Sequence, residues 1–446
     1  MVLDAGDLFA ATKVMAEAQR NQVLSKAGLI ARAYEYAGLD AMTIGDRDLA
    51  IGLRKLRDLE EEFHLPIVAA NLRDMDGKIL WPAFRVIVSG ENRLAVIGAG
   101  AVGTSEDVQE MDTIVEVRKA VEEARGMGVD AVILLSARGT SGTEAILRTV
   151  TGIDLAIEAG NGRSLRSPDV VNGVPVVGAG VKNKMLGRLS LGLVEGGSGF
   201  KDPEGDRRSN MLRDSLLKRK PRLEEQLAAA TSDIERQRAE RALEMTNTEL
   251  ARLDRMATEN PGTGAVSHKL AHSLVSLAKA LDVDPVVNTW VEHTKESFSG
   301  DVISPKGVAP ATLDKTRIVG PFVGAKQCAS CHEAEYKQWS GTPHARAYLS
   351  LVKDKRHMDQ DCYGCHVTGF GHPGGPESPK QVGYLGNVQC ESCHGPGNKH
   401  MSAPAKDNII KTPSEAKVCM GCHSDEQTND RYNPKTYWPK VLHAAK

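Results

Sequence analysis

All eight cysteines of this 446-residue chain fall in its last quarter or so, in the strings "CASCH", "CYGCH", "CESCH" and "CMGCH". Two cysteines two residues apart with a histidine directly behind them form the c-type haem attachment pattern, in which two thiols add to the haem vinyl groups and the histidine becomes an axial iron ligand. The thiols are those of Cys328 and Cys331, Cys362 and Cys365, Cys390 and Cys393, and Cys419 and Cys422, and the adjoining ligands are His332, His366, His394 and His423. Paired C-x-x-C strings also build structural zinc sites. Zinc does not require a histidine after every pair, and with 13 histidines in 446 residues four such coincidences have a chance of roughly one in a million. The motifs follow one another at spacings of 34, 28 and 29 residues, in sequence rich in Gly, Pro and Lys. So short a segment cannot bury four macrocycles under its own side chains. The haems must pack against one another and form much of the core, which is the arrangement of an electron wire.

Five further histidines, His344, His357, His372, His400 and His443, are the candidates for the opposite iron faces. The string "CHEAEYKQWSGTPHARAY" resembles the C-H-x-x-x-Y-x-x-W-x-x-[ST]-x-H-x-x-A pattern of the tetrahaem cytochrome c family, whose best-known members accept electrons from hydroxylamine oxidation in nitrifying bacteria. "CHVTGFG", "VQCESCHGPGNKH" and "YWPKVLH" continue the resemblance over about residues 320 to 446. It implies that His344, His400 and His443 are distal ligands and that their haems are low-spin carriers. The family can leave one haem five-coordinate, so His357 and His372 decide whether the fourth iron is closed. Trp339 and Trp438 are expected to pack against porphyrin edges.

The formal net charge of −2 gives no basic field for nucleic acid or an anionic membrane, and the apolar runs fall short of a membrane span. Covalent haem attachment normally takes place outside the bacterial cytoplasmic membrane. The opening "MVLDAGDLFA" has neither a basic nor an apolar leader region, so a signal peptide is expected upstream of the given start, with a periplasmic or cell-surface location.

Strand-like runs "PIVAANL" (66–72), "LAVIGAG" (94–100) and "DAVILLS" (130–136) alternate with helical stretches such as Thr113 to Gly128, which argues for an α/β layered domain. Gly98, Gly100 and Gly103 match the G-x-G-x-x-G spacing of a dinucleotide site, but "TSEDVQEMD" follows as a polar loop where a helix should open, so the match carries little. The order of blocks "LDAGDLFAAT", "AMTIGDRDLAIGLRKL", "VILLSARG", "GIDLAIEAGNGRS" and "NGVPVVGAG" resembles the 5′-nucleotidase type of calcineurin-like metallophosphoesterase, from the first residue to about Leu193 and again weakly at "LDVDPVVNTWVEHT". The resemblance implies a dimetal site whose ligands are mostly gone. Asp7 keeps the bridging position. Asp46 replaces an asparagine, Arg47 the catalytic histidine, Ala137 a histidine ligand, and Gly160 and Gly162 the two histidines of the last block, so no phosphoesterase dimetal centre is expected. Arg47 is a candidate salt-bridge substitute for the lost metal.

Between Asp206 and Asn260 the composition shifts to Arg, Lys, Glu, Ala and Leu, with Leu223, Leu227, Ala230 and Ile234 on one helical face and Leu243, Leu250 and Leu253 on another. An inserted helical hairpin is expected, with Pro221 in a first turn and "MTNTE" (245–249) at or near the bend. His268 and His272 share a side of their segment but have no third ligand nearby in sequence. The expected organisation is a metallophosphoesterase-like α/β domain over 1–205 and 261–296, the hairpin over 206–260, a linker over 297–319, and a mostly α/irregular multihaem cytochrome c module over 320–446. Electron transfer through four covalently attached haem c groups is the expected function, with redox partner proteins, no nucleic acid, and a homo-oligomer through the hairpin. One rival is an enzyme acting on a small nitrogen or sulfur compound at an open haem. The other is a structural protomer of a conductive assembly.

Overall fold

The structure is a computed structural model that describes residues 1–15, 19–103, 105–159, 167–180, 184–230, 233–259, 267–277, 283–298, 321–376, 381–405, 408–409, 418–419, 421–423 and 434–443. Two units divide the chain: Met1–Val14 with Ile30–Val283, and Met15–Leu29 with Asp284–Lys446.

At the centre of the first unit the strands Asn92–Ala99, Ala131–Ser136, Leu155–Glu158 and Val174–Val177 run parallel, edged by antiparallel Phe84–Ser89 and Asp169–Val171. Every residue of Ala131–Ser136 is buried, as a parallel strand covered on both faces requires. Val132 and Leu134 face one cluster with Val117, Ala120 and Ala124 of the helix Thr113–Gly126 and Ile146 and Leu147 of the helix Gly139–Thr149. Ile133 and Leu135 face the other way, onto Leu189, Leu191 and Leu270. Those three belong to a second sheet, in which Met185–Gly192 and Phe200–Lys201 flank His268–Ser276. Helices, sheet and second sheet make the α/β layers anticipated from the alternating sequence.

The segment Pro66–Asn71 is buried throughout but is not one strand. Its backbone donors go in turn to Met42, Pro82 and Gly98, three separate pieces of chain, so no single ladder forms. The three glycines of 98–103 serve close approach: a Cβ on Gly98 would stand 2.0 Å from the Val68 carbonyl oxygen, and Gly103, at φ +61°, lies against Asp46. The strand Val108–Glu110 follows them instead of a helix, which removes the dinucleotide reading.

The helices Pro203–Ala228 and Asp233–Glu259 leave the second sheet after Lys201 and return to it at His268. Asp202 caps the first by accepting from Gly205 N–H, with Pro203 in the first turn. Pro221 is therefore inside the helix and not in its first turn, which corrects the sequence expectation. Buried Leu216 and Leu223 on either side hold the helix through it. Met245–Glu249 likewise lie within the second helix, where the Thr246 hydroxyl donates to the Ala242 carbonyl at 2.7 Å, and the connection falls at 229–232. Leu216, Leu250, Leu253 and Met256 form the seam with Val170. The side chain of Ile234 lies outside the described residues.

The second unit corrects the expected boundaries. It takes in Met15–Leu29 and the helix Pro285–Glu296, both assigned from sequence to the α/β domain. Gln22 and Lys26 each donate at 2.8 Å to Asp359, a tertiary tie that no local pattern reveals. Its other described residues form short helical turns around a small cluster of Leu351, Tyr363, Val367, Phe370 and Val382. Leu349, Val352, Met401 and Leu442 are 44–57% exposed, apolar surface of the kind a macrocycle would cover. Among the described residues no helix is long and apolar enough to cross a membrane.

Candidate functional site: a haem-binding module

Each attachment motif folds as a tight helical turn. His332 N–H donates to the Cys328 carbonyl at 2.9 Å and His423 N–H to that of Cys419 at 2.8 Å, while Tyr363–His366 and Cys390–His394 are single helical turns. Residues four apart lie on one face of such a turn, so the first thiol and the histidine point the same way.

Three histidine rings from the motifs face three from outside them. The ring centres of His332 and His400 lie 6.3 Å apart, those of His394 and His443 6.2 Å, and those of His423 and His344 6.0 Å. A metal–imidazole bond of about 2.0–2.1 Å on each side, with roughly 1.1 Å from nitrogen to ring centre, puts two trans imidazoles about 6.2–6.4 Å apart. Two of the separations fall within that span, and the third, His423 to His344, is about 0.2 Å short of it. Hydrogen bonds at Nδ1 leave Nε2 for the metal: His400 donates to the Ala405 carbonyl at 3.1 Å, His443 to Gln338 Oε1 at 3.0 Å, and His366 to the Ala347 carbonyl at 2.7 Å. Burial pulls the His344 and His423 imidazoles below their usual range, with the charge of His423 adding to the effect on His344. That shift favours the neutral imidazole, the form that coordinates iron.

Among the described residues His366 forms no such ring pair. It lines a cavity of about 740 Å³ together with His372, His344, His423 and Cys422. His372 is 3% exposed, with its ring 6.4 Å from Phe322. His357 is outside that lining. Its carbonyl accepts from the Tyr348 and Tyr363 hydroxyls, and its buried Nδ1 has no hydrogen-bond partner among the described residues.

The motifs are also close to one another. The sulfurs of Cys328 and Cys390 are neighbours, as are those of Cys365 and Cys422, and Cys419 lies near Cys393. Two side chains invisible to motif reading bind these pieces together. Glu391, 1% exposed between two motif cysteines, accepts from the backbone N–H of Val323, Gly324 and Gly397. Gln389 accepts from Ala325 N–H at 2.6 Å and donates to the carbonyls of Tyr384 and Gly386. An acidic residue inside a buried motif is the one sequence signal that could have singled out Glu391. Trp339 donates its indole N–H to the Val388 carbonyl at 2.8 Å, and Trp438 lines the cavity.

In the first unit, Asp7 (φ +65°) and Asp46 stand close together, and burial pushes the Asp7 carboxyl up. Asp48, buried completely, organises their loop by accepting from the N–H groups of Asp7, Leu8, Phe9 and Gly45. The ion pair with Asp46 comes from Lys13, at 2.6 Å, and not from Arg47, whose backbone N–H donates to Asp7. Arg138 crosses to Glu110 at 2.6 Å beside the buried Ala137. Gly160 and Gly162 lie outside the described residues. His268 and His272 are buried on one face of their strand, and His268 Nδ1 accepts from Val194 N–H. Among the described residues no group of three or more His, Cys, Asp or Glu is placed to hold a metal ion.

Residues 327–395 match the profile of the family described as cytochrome c554 and c-prime. Over 94 residues the chain is 47% identical to cytochrome c-554 of Nitrosomonas europaea, which covers 17% of this chain and 39% of that protein. It is 25% identical over 170 residues to the multihaem cytochrome MtrA of Shewanella baltica, covering 36% and 42%. It is also 27% identical over 155 residues to a probable 5′-nucleotidase of Treponema pallidum, covering 32% and 26%. The chain thus spans less than half of each of these curated relatives. Among solved structures, a 5′-nucleotidase precursor of Thermus thermophilus superposes with a TM-score of 0.43 at 15% identity, covering 84% of this chain and 74% of that one. With its motifs and ring geometry, the chain joins a 5′-nucleotidase-like α/β unit to a c-type multihaem module similar to cytochrome c-554.

Proposed function

We propose that the protein is an extracytoplasmic c-type cytochrome that relays electrons through four covalently attached haems, with the α/β unit as an inactive scaffold or docking surface. The observation that carries this reading is the set of three ring pairs at 6.0–6.3 Å, each joining a motif histidine to a histidine from elsewhere. His332 with His400, His394 with His443 and His423 with His344 would hold three irons, and His366 the fourth. When bound, the haems supply one-electron redox chemistry at potentials set by ligands and surroundings. The chain's own residues orient the imidazoles through bonds at Nδ1 of His366, His400 and His443, and the neighbouring motif sulfurs support close spacing of the groups. Lys13 would neutralise Asp46 in place of metal, which leaves no activated water for hydrolysis.

A second reading has one specific observation in its favour. His366 is without a facing histidine ring among the described residues, in contrast to the three paired motif histidines. An open iron there would make the protein an oxidoreductase for a small nitrogen or sulfur compound.

The test is low-temperature EPR of the oxidised holoprotein, with spins counted against total haem and metal-dependent phosphate release assayed on the same sample. Four haems per chain with at least three low-spin, and no phosphate release, is the expected result. One high-spin haem would favour the second reading. Fewer than three low-spin haems would refute the ligand pairs, and substantial phosphate turnover would refute the inactive scaffold.

A further inference from the structure

Gln338 stands six residues beyond His332, on the helix Glu333–Ser340 that begins directly after that ligand. Its amide grips the far end of the chain twice: Nε2 donates to the Leu442 carbonyl at 2.7 Å, and Oε1 accepts from His443 Nδ1–H at 3.0 Å. The first bond fixes the orientation of the amide, so the oxygen must face the imidazole. His443 itself is exposed and follows a short 3₁₀ turn, Trp438–Lys440. His400 and His366, by contrast, give their Nδ1 protons to backbone carbonyls on nearby chain.

We propose that Gln338 is the positioning residue that makes His443 an iron ligand, and that through it the helix following one haem's ligand governs coordination at another haem. The inference rests on the reading of His443 as the partner of His394. The amide fixes the tautomer, with the proton on Nδ1 and the lone pair on Nε2, and it sets the ring plane that faces His394. Removing the acceptor frees the ring to rotate and to exchange tautomers, and the terminal segment loses a second anchor at Leu442. Replacing the amide with a carboxylate gives up the donor to the Leu442 carbonyl but keeps an acceptor on Nδ1–H and makes it stronger, which gives the imidazole more anionic character and stabilises ferric iron.

Three variants of the holoprotein, H443A, Q338L and Q338E, distinguish the possibilities by EPR spin count, carbon monoxide binding to the ferrous form and potentiometric titration. H443A is expected to add one high-spin, carbon monoxide-reactive haem per chain relative to wild type. If it adds none, His443 is not a ligand and the reading beneath the proposal fails. Q338L is expected to show a fraction of that same change, in keeping with the ~10–100-fold weakening typical when a ligand loses its supporting partner. Q338E is expected to keep the wild-type spin count and to move one haem's midpoint potential downward. With H443A behaving as expected, wild-type spin counts and potentials in both Gln338 variants would overturn the positioning role. Should Q338L fail to accumulate, the potential of Q338E decides alone.

Discussion

Replacing Asp359 with asparagine isolates the charge of one carboxylate from its shape. Asp359 is 4% exposed and accepts from Gln22 Nε2 at 2.8 Å, Lys26 Nζ at 2.8 Å and Arg356 Nη2 at 2.7 Å. It also caps the turn that leads into Cys362, accepting from Asp361 N–H. Asparagine is as good a cap as aspartate, so that contribution survives the change. What is lost is the anion facing two cations. Breaking a fully buried pair costs about 3–5 kcal/mol. Water reaches the side chains of Lys26 (26% exposed) and Arg356 (47%), which places the expected loss at the lower end, about 3 kcal/mol. For a unit of this size that is a fall in Tm of roughly 6–12 °C. The pH dependence has a definite sign. Burial pushes the Asp359 carboxyl up, but Lys26 and Arg356 outweigh it and hold the group below its usual range. A depressed acid stabilises the fold above its unfolded pKa of about 3.9 and loses that contribution as the pH falls through the folded value. Thermal unfolding of holo wild type and D359N, followed by Soret and near-ultraviolet circular dichroism, should therefore show a full difference at pH 6 that narrows below about pH 4. A difference under about 1 kcal/mol at pH 6, or one that stays constant into acid, would refute the reasoning.

Other substitutions probe separate parts of the molecule. His344→Ala should convert one low-spin ferric haem to high-spin, read by EPR, and an unchanged spin count would exclude His344 as the partner of His423. Pro221→Ala should raise stability, since proline in a helix interior is about 3 kcal/mol less favourable than alanine; unfolding by circular dichroism at 222 nm would show it, and a lowered Tm would count against a continuous helix. Gly98→Ala puts a Cβ 2.0 Å from the Val68 carbonyl oxygen and 2.7 Å from Thr43 Oγ1, so a loss of at least about 1–3 kcal/mol is expected in denaturant titration. A neutral result there would mean that the strand shifts freely.

The sequence disclosed what depends on near neighbours and concealed what depends on distant ones. Attachment cysteines and their histidines are one turn of chain, so their spacing is enough. His344, His400 and His443 were legible only through resemblance, because nothing within a few residues of them says which ring they will face. Gln338, Gln389 and Glu391 act across 64 to 105 residues of chain, and of the three only Glu391, an acid inside a motif, carries any local signal. The attachment of Met15–Leu29 to the second unit depends on Asp359, more than 330 residues away, and could not be read from its own composition. In the hairpin, Pro221 and Thr246 carry real local signals for helix ends. Packing of Leu216, Leu250 and Leu253 overrode them. The substitution of Lys13 for Arg47 as partner of Asp46 is a matter of loop geometry, not of motif position.

The long excursion between Lys201 and His268 has a consequence for how the second sheet is assembled. Phe200 and His268 are neighbours in a ladder although the whole hairpin separates them along the chain. Because the two helices return antiparallel, zipped by Leu216 against Leu250 and by Arg213 to Asp254 at 2.6 Å, the chain emerges near where it left. The ribosome must complete both helices before the central strand of the sheet exists at all. Once they have closed, that strand meets partners already held at the distance of a short loop, and even an unstructured loop grows more difficult to close by only about 0.6 kcal/mol per doubling of length. The insertion thus delays the sheet in time while hardly burdening it at equilibrium, and a short linker in its place should let the same strands pair sooner.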